Sequence, residues 1–232
     1  MSGEALYALF MGLALIVAVA ARLLLPPDPL VRALPARHRW AVALAAFAGG
    51  VLGARLPFFL LQDQGWLHDG KTILAGFAGG YLAVEAVKAA LGIRAKTGDS
   101  FAVPLALACA VGRWGCFFHG CCAGTECALP WAHDFGDGVA RHPTQAYESL
   151  FHLAMAGVLL AVARRGALRF QRLKLYLIAY AAFRFAVEWI RVEPRGWLGL
   201  SVYQWTAVGL ALAVGAHWAW DRRLVARPAV AR

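Results

Sequence analysis

The feature that most constrains this chain is a series of apolar runs, each about as long as a membrane-spanning helix. About 20 apolar residues cross a bilayer as an α-helix, because in hydrocarbon every backbone polar group must be bonded within its own segment. Hydrophobic residues make up 61% of the chain, whereas soluble domains contain about 45–50%. We therefore predict an all-α, polytopic membrane protein with about seven transmembrane helices in a single transmembrane domain over 1–232. The predicted spans are 4–25, 40–61, 72–91, 101–118, 144–163, 173–190 and 198–220.

Basic residues lie on alternate connections between these runs, which predicts the orientation of the chain. Of the 23 Lys and Arg residues, 16 lie within 22–39, 88–96, 164–174 and 222–232. Such segments stay in the cytoplasm, so the N-terminus is predicted outside and the C-terminus inside. The net charge of +10 is then explained by topology and by contact with the anionic headgroups of the lipid bilayer. No pattern typical of nucleic-acid binding is present, and no nucleic-acid partner is expected.

Six ionisable residues fall inside the runs, where a charge is costly and usually has a partner or a function. Two pairs have a simple local explanation, because Glu85 lies three residues before Lys88 and Arg184 four residues before Glu188 on one helix face. Arg113 has no acid in its own run and needs a carboxylate or a ligand phosphate from elsewhere. Arginine forks match phosphate, so three arginines facing one cavity would suit a phospholipid headgroup. The six residues are Arg55, Glu85, Arg113, Glu148, Arg184 and Glu188.

A small external loop segment, at about 119–143, is predicted between the fourth and fifth runs. It is rich in glycine, histidine and acidic residues, and four cysteines lie in or just before it. Three interpretations of these cysteines stay open: a disulfide from Cys121 or Cys122 to Cys127, a zinc site, or a reactive thiol activated by nearby Arg or His. The four cysteines are Cys116, Cys121, Cys122 and Cys127.

Five short motifs occur in order along the chain. Residues 112–124 read Gly-Arg-Trp-Gly-Cys-Phe-Phe-His-Gly-Cys-Cys-Ala-Gly, and residues 141–148 read Arg-His-Pro-Thr-Gln-Ala-Tyr-Glu. Residues 184–191 read Arg-Phe-Ala-Val-Glu-Trp-Ile-Arg, while 53–56 read Gly-Ala-Arg-Leu and 200–204 read Leu-Ser-Val-Tyr-Gln. In sequence and order these motifs resemble those of the prolipoprotein diacylglyceryl transferases, including their signature Gly-Arg-x-Gly-Asn-Phe-x-Asn-Gly-Glu-x-x-Gly.

The resemblance implies a multi-pass protein of the bacterial inner membrane. Its reaction would transfer the diacylglyceryl group of phosphatidylglycerol to the cysteine thiol of a prolipoprotein lipobox peptide, releasing glycerol 1-phosphate. No cofactor or metal is expected. Two alternatives stay open: a related phospholipid-dependent transferase with another acceptor, and a non-enzymatic transporter or thiol-redox membrane protein.

The resemblance also implies roles for individual residues. Arg113 and Arg184 would hold the phosphate, and Glu188 would orient Arg184. His142 is a candidate general base, although a loop histidine bonded to the backbone is an equal alternative. The expected substrate-binding residues are Arg55, His119, Arg141, Tyr147, Glu148 and Gln204.

The chain departs from the family pattern at chemically important positions. Where the signature has Asn, Asn and Glu, this chain has Cys116, His119 and Cys121. The family's His-Gly-Gly element in the third span is absent, and Ala75 stands near its histidine position. The resemblance therefore leaves the acceptor, the general base and the state of the cysteines unassigned.

Overall fold

The computed structural model describes residues 2–25, 27–61 and 72–226. Within these ranges the chain forms eight α-helices, two short 3₁₀ turns and one two-stranded ribbon. Seven of the helices coincide with the seven predicted runs, and α2 is a single turn between the first two. The helices are α1 (Gly3–Leu24), α2 (Pro29–Arg32), α3 (Ala36–Leu61), α4 (Ile73–Ala90), α5 (Asp99–His119), α6 (Thr144–Arg164), α7 (Arg172–Val187) and α8 (Val202–Ala226).

Five of the helices are long and apolar enough to cross a membrane: α1, α3 up to Pro57, α4, α5 and α6. An all-α membrane protein is therefore confirmed at this level. The predicted external segment adds one feature that its sequence did not indicate, a short antiparallel ribbon. Its strands β1 (His133–Asp134) and β2 (Ala140–Arg141) pair with His133 opposite Arg141.

The last two helices differ in extent from their predicted runs. The seventh run was expected to begin at 198, but Leu198 and Gly199 have φ values of 56° and 70° and form a turn. Helix α8 starts only at Val202. Helix α7, predicted to reach residue 190, ends at Val187, and Glu188–Ile190 form a 3₁₀ turn. Both departures place polar side chains at one end of the bundle.

The α3–α4 contact depends on glycine, because small residues let helix backbones approach closely. A Cβ atom added to Gly53 would lie 2.5 Å from the carbonyl oxygen of Ala75 and 2.8 Å from Cα of Gly79. A methyl group therefore does not fit at this contact. Elsewhere α1 packs on α5, α5 on α6 and α7 on α8.

The core lies between α4, α5, α6, α7 and α8 and contains two fully buried tyrosines, Tyr176 and Tyr180. Tyr176 and the fully buried His152 of α6 are joined by a hydrogen bond of 2.8 Å between Oη and Nδ1. His152 is thus a core residue and not the interface or loop histidine expected from sequence. The site described next lies where α5 and α7 end and α6 and α8 begin.

Candidate functional site: a buried arginine cluster

Arg113 and Glu148 form a buried ion pair between α5 and α6. Arg113 Nη2 donates to Glu148 Oε1 at 3.2 Å, and its Nε lies 3.2 Å from Oε2. Tyr180 of α7 donates its hydroxyl to the same carboxylate at 3.2 Å. Arg113 thus has the carboxylate partner from another helix that the sequence required but could not identify.

Glu188 gathers a second set of groups at the end of α7. Arg184 Nη1 lies 2.5 Å from Glu188 Oε2, which confirms the predicted local pair. Arg191, three residues beyond Glu188, approaches the same oxygen with its Nε at 3.7 Å. Ser201 donates its hydroxyl to Oε1 at 2.8 Å. Glu188 is therefore placed to orient both arginines.

These five charged residues form one cluster, called the arginine cluster below: Arg113, Glu148, Arg184, Glu188 and Arg191. The segment 116–122 joins the two pairs, because Arg113 Nη1 donates to Cys116 Sγ and Arg191 Nη1 donates to the carbonyl of Cys122. Each of the five residues is at most 8% exposed. Arg191 Nη2 also lies 3.2 Å from Glu193 Oε1, so three guanidinium groups face three carboxylates. Buried charges are costly unless paired, and here each arginine has a carboxylate partner.

The carboxylates do not give every arginine nitrogen a well-aligned hydrogen bond. Arg113 Nε, Arg184 Nη1 and Arg191 Nε are buried and lie 3.2, 2.5 and 3.7 Å from a carboxylate oxygen, but none of these contacts has good hydrogen-bond geometry. Buried donors are rarely left poorly satisfied, and a ligand is one explanation where they are. Guanidinium N–H groups without a well-aligned acceptor suit the oxygens of a phosphate.

The loop after α5, residues 120–132 and called the cysteine loop below, carries Cys121, Cys122 and Cys127 and lies beside the arginine cluster. Helix α5 is capped by Gly120, whose φ of 77° is easily adopted only by glycine. The backbone N–H of Cys121 then donates back to the carbonyl of Cys116 at 3.2 Å. Arg113 Nη1 donates to Cys116 Sγ at 3.4 Å within α5, and the loop itself contacts the arginine cluster through Arg191, which donates to the carbonyl of Cys122.

Side chains from α6 and from the segment after α7 hold the loop in place. Thr144 Oγ1 and Arg191 Nη1 donate to the carbonyl of Cys122 at 2.6 and 2.8 Å. Gln145 Nε2 donates to the carbonyl of Cys121 at 2.5 Å. A Cβ atom at Gly124 would lie 2.6 Å from the carbonyl of Ile190, so only glycine permits this close passage.

All five cysteines of the chain are free thiols. The predicted disulfide from Cys121 or Cys122 to Cys127 is therefore not formed. Instead, the sulfur atoms of Cys116, Cys121 and Cys122 lie within 4.8 Å of one another.

His142 and Tyr147, two of the predicted site residues, lie beside the cysteine loop and contact each other. His142 Nδ1 is 3.2 Å from the hydroxyl of Tyr147, which also accepts a hydrogen bond of 2.8 Å from the indole of Trp131. The carbonyl of His142 accepts from the N–H of Gly124 at 2.9 Å. The imidazole is half-buried, so it can still reach a ligand.

Arg141 is already engaged by an acidic residue of the ribbon. Its Nη1 and Nη2 donate to the two carboxylate oxygens of Asp137 at 2.7 and 2.6 Å. This bidentate contact lowers the pKa of Asp137 to about 2. Both residues line a surface cavity of about 340 Å³ together with Gly120 and Gly124 of the cysteine loop.

Two other predicted site residues, Arg55 and His119, form no hydrogen bond or ion pair with the arginine cluster. Arg55 forms none with any residue the structure describes. His119 is exposed and packs edge-to-face on Tyr7, with ring centroids 5.7 Å apart. Substrate contacts of Arg55 and His119 stay predictions.

Gln204 has a capping role that differs from the predicted substrate contact. Its Oε1 accepts from the backbone N–H of Ser201 at 3.0 Å, and Ser201 Oγ accepts from the N–H of Gln204 at 3.2 Å. This reciprocal arrangement is a capping box. Gln204 is fully buried, and its Nε2 is taken by the carbonyl of Phe185. It therefore positions Ser201 and, through it, Glu188.

Sequence reasoning missed three residues of the site. Arg191 could have been found from its spacing of three residues after Glu188, and Ser201 from the Ser-x-x-Gln capping pattern. Tyr180 carries no such local signal, because its partner Glu148 lies on another helix. A larger surface cavity of about 610 Å³, which includes Asp28 and Asp99, lies at the opposite end of α5 and contains none of these residues.

Comparison with known proteins identifies the family to which this chain is similar. A family model described as prolipoprotein diacylglyceryl transferase matches residues 5–220. The phosphatidylglycerol–prolipoprotein diacylglyceryl transferase of Clostridium tetani is 31% identical over 176 residues, covering 68% of this chain and 70% of that protein. The protein of the same name from Methylococcus capsulatus is 34% identical over 196 residues, covering 78% and 74%.

The matched region contains the arginine cluster, the cysteine loop and the five helices long enough to span a bilayer. The aligned segments account for about seven tenths of the length of those two relatives. This chain is a multi-pass membrane protein that belongs to the prolipoprotein diacylglyceryl transferase family.

Proposed function

We propose that this protein transfers the diacylglyceryl group of phosphatidylglycerol to a cysteine thiol of a prolipoprotein, releasing glycerol 1-phosphate. The observation that carries the proposal is the arginine cluster, in which three buried guanidinium groups meet and each keeps one nitrogen without a well-aligned acceptor. The oxygens of a lipid phosphodiester would supply such acceptors.

The proposal includes seven crossings of a bacterial inner membrane, with the N-terminus outside. Helices α7 and α8 would be the sixth and seventh spans. Their lower hydropathy is consistent with the charged residues that they place inside the bundle. The basic segments on alternate connections support this orientation. The arginine cluster and the cysteine loop would then lie near the outer surface, where prolipoproteins emerge.

The headgroup would bind between the ends of α5 and α7. Arg113 and Arg184 would contact the phosphate oxygens, and Arg191 would approach from the side of the cysteine loop. Glu148 and Glu188 hold these guanidinium groups in fixed orientations before the lipid arrives. Such preorganised charges lose little reorganisation energy when charge develops in the reaction.

The chemical step is displacement at the glyceryl carbon of the lipid. The acceptor thiol loses its proton, and the thiolate forms a C–S bond while the C–O bond to phosphate breaks. The electron pair of that bond stays on the phosphate oxygen, so glycerol 1-phosphate leaves with one more negative charge than the bound phosphodiester. Arg113 and Arg184 would stabilise this added charge more in the transition state than in the ground state.

The acceptor peptide would reach the cluster through the cavity lined by Gly120, Gly124 and Arg141. His142 lies beside this route and is the candidate base for the thiol proton. Its Nδ1 contact with Tyr147 would fix the ring orientation. The lipobox is proposed as the recognised segment because the acceptor thiol belongs to it in this family.

The test is transfer by the purified full-length protein in detergent. Phosphatidylglycerol labelled in its diacylglyceryl group is mixed with a lipobox peptide, and a matched peptide with Ser in place of Cys serves as the control. We expect a thioether-linked product with the cysteine peptide only, together with one glycerol 1-phosphate for each product. Arg184→Lys keeps the charge but loses the planar fork, and we expect it to reduce the rate by about 10²-fold.

Two results would contradict the proposal. Transfer at the wild-type rate by Arg184→Lys would show that the guanidinium group of Arg184 is not needed to hold the phosphate. Consumption of phosphatidylglycerol without lipidation of the lipobox peptide would instead indicate a related transferase with another acceptor.

A further inference from the structure

We propose that Cys116, Cys121 and Cys122 bind one zinc ion as thiolates and that the open fourth position of this ion receives the acceptor thiol. The proposal rests on the transferase function proposed above and deepens it. Its geometric basis is the approach of three sulfur atoms from two structural elements to within 4.8 Å of one another.

The end of α5 creates this arrangement. Cys116 lies in the last turn of α5, and Cys121 follows the left-handed Gly120. The N–H of Cys121 bonds back to the carbonyl of Cys116, which is the Schellman geometry and brings position 121 over position 116. Local backbone geometry alone therefore pairs the first two ligands.

The third ligand requires an unusual backbone conformation. Cys122 has a φ of 66°, in the left-handed region that non-glycine residues rarely adopt. Its carbonyl is held by Thr144 and Arg191, and the carbonyl of the preceding residue is held by Gln145. Strain maintained by surrounding contacts is typical of functional positions. Here it places a third thiol beside the other two.

The spacing and chemistry of the three sulfurs suit zinc. With Zn–S bonds of about 2.3 Å, two sulfurs on one ion lie about 3.8 Å apart, so small side-chain rotations close the site. Catalytic zinc sites usually have three protein ligands and one open position, and no fourth Cys, His, Asp or Glu joins this group among the described residues. The three cysteines are half-buried, and the cavity of about 340 Å³ is lined by Gly120, Ala123 and Gly124 of the same segment.

Charge near the site also favours thiolate ligands. Three thiolates with one divalent ion carry a net charge of −1. Arg113 donates to Cys116 Sγ, and Arg191 donates to the carbonyl of Cys122. Cationic neighbours of this kind stabilise thiolates. The cysteines at 116 and 121 also occupy positions where the family signature has Asn and Glu, so the same place in the fold would perform different chemistry.

Zinc at this place would activate the acceptor. A thiol that binds zinc loses its proton, and the resulting thiolate is the nucleophile that the transfer requires. The proton passes to solvent or to His142, and the C–S bond forms as the C–O bond of the lipid breaks. Release of the thioether frees the fourth position. No electron is gained or lost by the metal or by the three cysteines.

The first test measures metal and needs no activity. Wild-type protein, purified in detergent and dialysed against a trace of zinc, is assayed for zinc per chain by mass spectrometry. We expect about one zinc for the wild type and at least 10-fold less for Cys116→Ser, Cys121→Ser and the double variant of both. Cys127→Ser, a free cysteine of the same loop outside the group, is the matched control and should keep the metal.

Folding is monitored by size-exclusion chromatography and thermal unfolding, and alkylation mapping adds a second measurement on the wild type alone. Bound zinc should protect residues 116, 121 and 122 from alkylation, and a chelator should remove that protection. Equal zinc in the wild type and in the double variant would overturn the proposal. So would a disulfide between any two of the three cysteines in protein that is active in transfer.

The second test concerns the reaction. A chelator should reduce lipid transfer by the wild type by about 10²-fold, and added zinc should restore it, whereas Cys127→Ser should respond as the wild type does. Lipid transfer by wild type that contains no zinc would overturn the metal site and leave the proposed function intact. Zinc-loaded protein that transfers nothing to the peptide would overturn the proposed function and, with it, the role of the metal.

Discussion

Two groups of buried charges lie at opposite ends of α7 and α8, and they differ in how completely their polar atoms are satisfied. The first is the arginine cluster. The second, called the Asp221 cluster below, places Asp221 between Lys174 and Lys96, with Lys96 Nζ 2.5 Å from Asp221 Oδ1. His217 Nε2 lies 3.7 Å from the same oxygen. In both groups several cations surround a shared carboxylate.

The difference lies in the hydrogen bonds. In the described part of the chain, no buried polar atom of Lys174 or Asp221 lacks a partner, while each arginine of the arginine cluster has one buried nitrogen without a well-aligned acceptor. Lys96 and His217 are each about one third exposed, so water can reach that end. Clustered charge alone therefore does not indicate a ligand site. Clustered charge with buried donors that lack a well-aligned acceptor does, because a ligand can supply one.

The largest expected effect comes from removing Arg113. Arg113→Ala should reduce lipid transfer by about 10²–10³-fold, because a buried group that stabilises the leaving phosphate is lost. Arg169→Ala is the control, since that arginine pairs with Asp28 in an exposed position. Rates are compared on protein of equal monodispersity in detergent. A rate within about 3-fold of wild type for Arg113→Ala would assign the arginine cluster to stability only.

Mutation of the Asp221 cluster should lower the stability of the protein rather than its transfer rate. Asp221→Asn leaves two cationic lysines without their counter-charge, and we expect a loss of about 3 kcal/mol in the free energy of unfolding. The transfer rate of the folded fraction should change little.

Glu85→Gln breaks the half-exposed pair with Lys88 and should lower the free energy of unfolding by less than about 1 kcal/mol. Unfolding in detergent, followed by tryptophan fluorescence, measures both variants.

A smaller effect is expected when one hydroxyl is removed from each cluster. Ser201→Ala deletes the donor to Glu188, so Arg184 loses its fixed orientation and transfer should fall about 10-fold, with rescue by Ser201→Thr. Tyr81→Phe deletes the contact of 2.6 Å between Tyr81 Oη and His217 Nδ1. It should cost about 1 kcal/mol of stability and leave transfer unchanged. Equal losses of transfer in the two variants would contradict the contrast between the clusters.

The smallest effect is expected outside the bundle, at the ion pair of Asp137 and Arg141. The hydrogen bonds from Arg141 lower the pKa of Asp137 from its ordinary 3.8 to about 2. Stabilisation by this pair is therefore complete above pH 3.8 and lost only as the pH falls through about 2. Asp137→Asn should change transfer by less than about 3-fold, by a factor that stays constant between about pH 5 and 9. A factor that grows with pH in that range would show another titrating group.

Local patterns predicted the helices well. Each apolar run became a helix because hydrocarbon leaves no other partner for the backbone, and the pair Arg184–Glu188 formed because four residues bring side chains onto one face. Prediction was weaker where two distant segments must meet. The partner of Arg113 could not be identified, because Glu148 lies 35 residues away on another helix, and the contact of Arg191 with the cysteine loop was not expected.

The sequence by itself determined where the helices lie and that Arg184 and Glu188 share one helix face. These depend on backbone bonding and on spacings of a few residues. Only the tertiary structure decided that Glu148 pairs with Arg113, that Arg191 reaches both Glu188 and the cysteine loop, and that Cys122 joins the other two thiols. Those contacts depend on how separate helices pack, and no spacing along the chain encodes that packing.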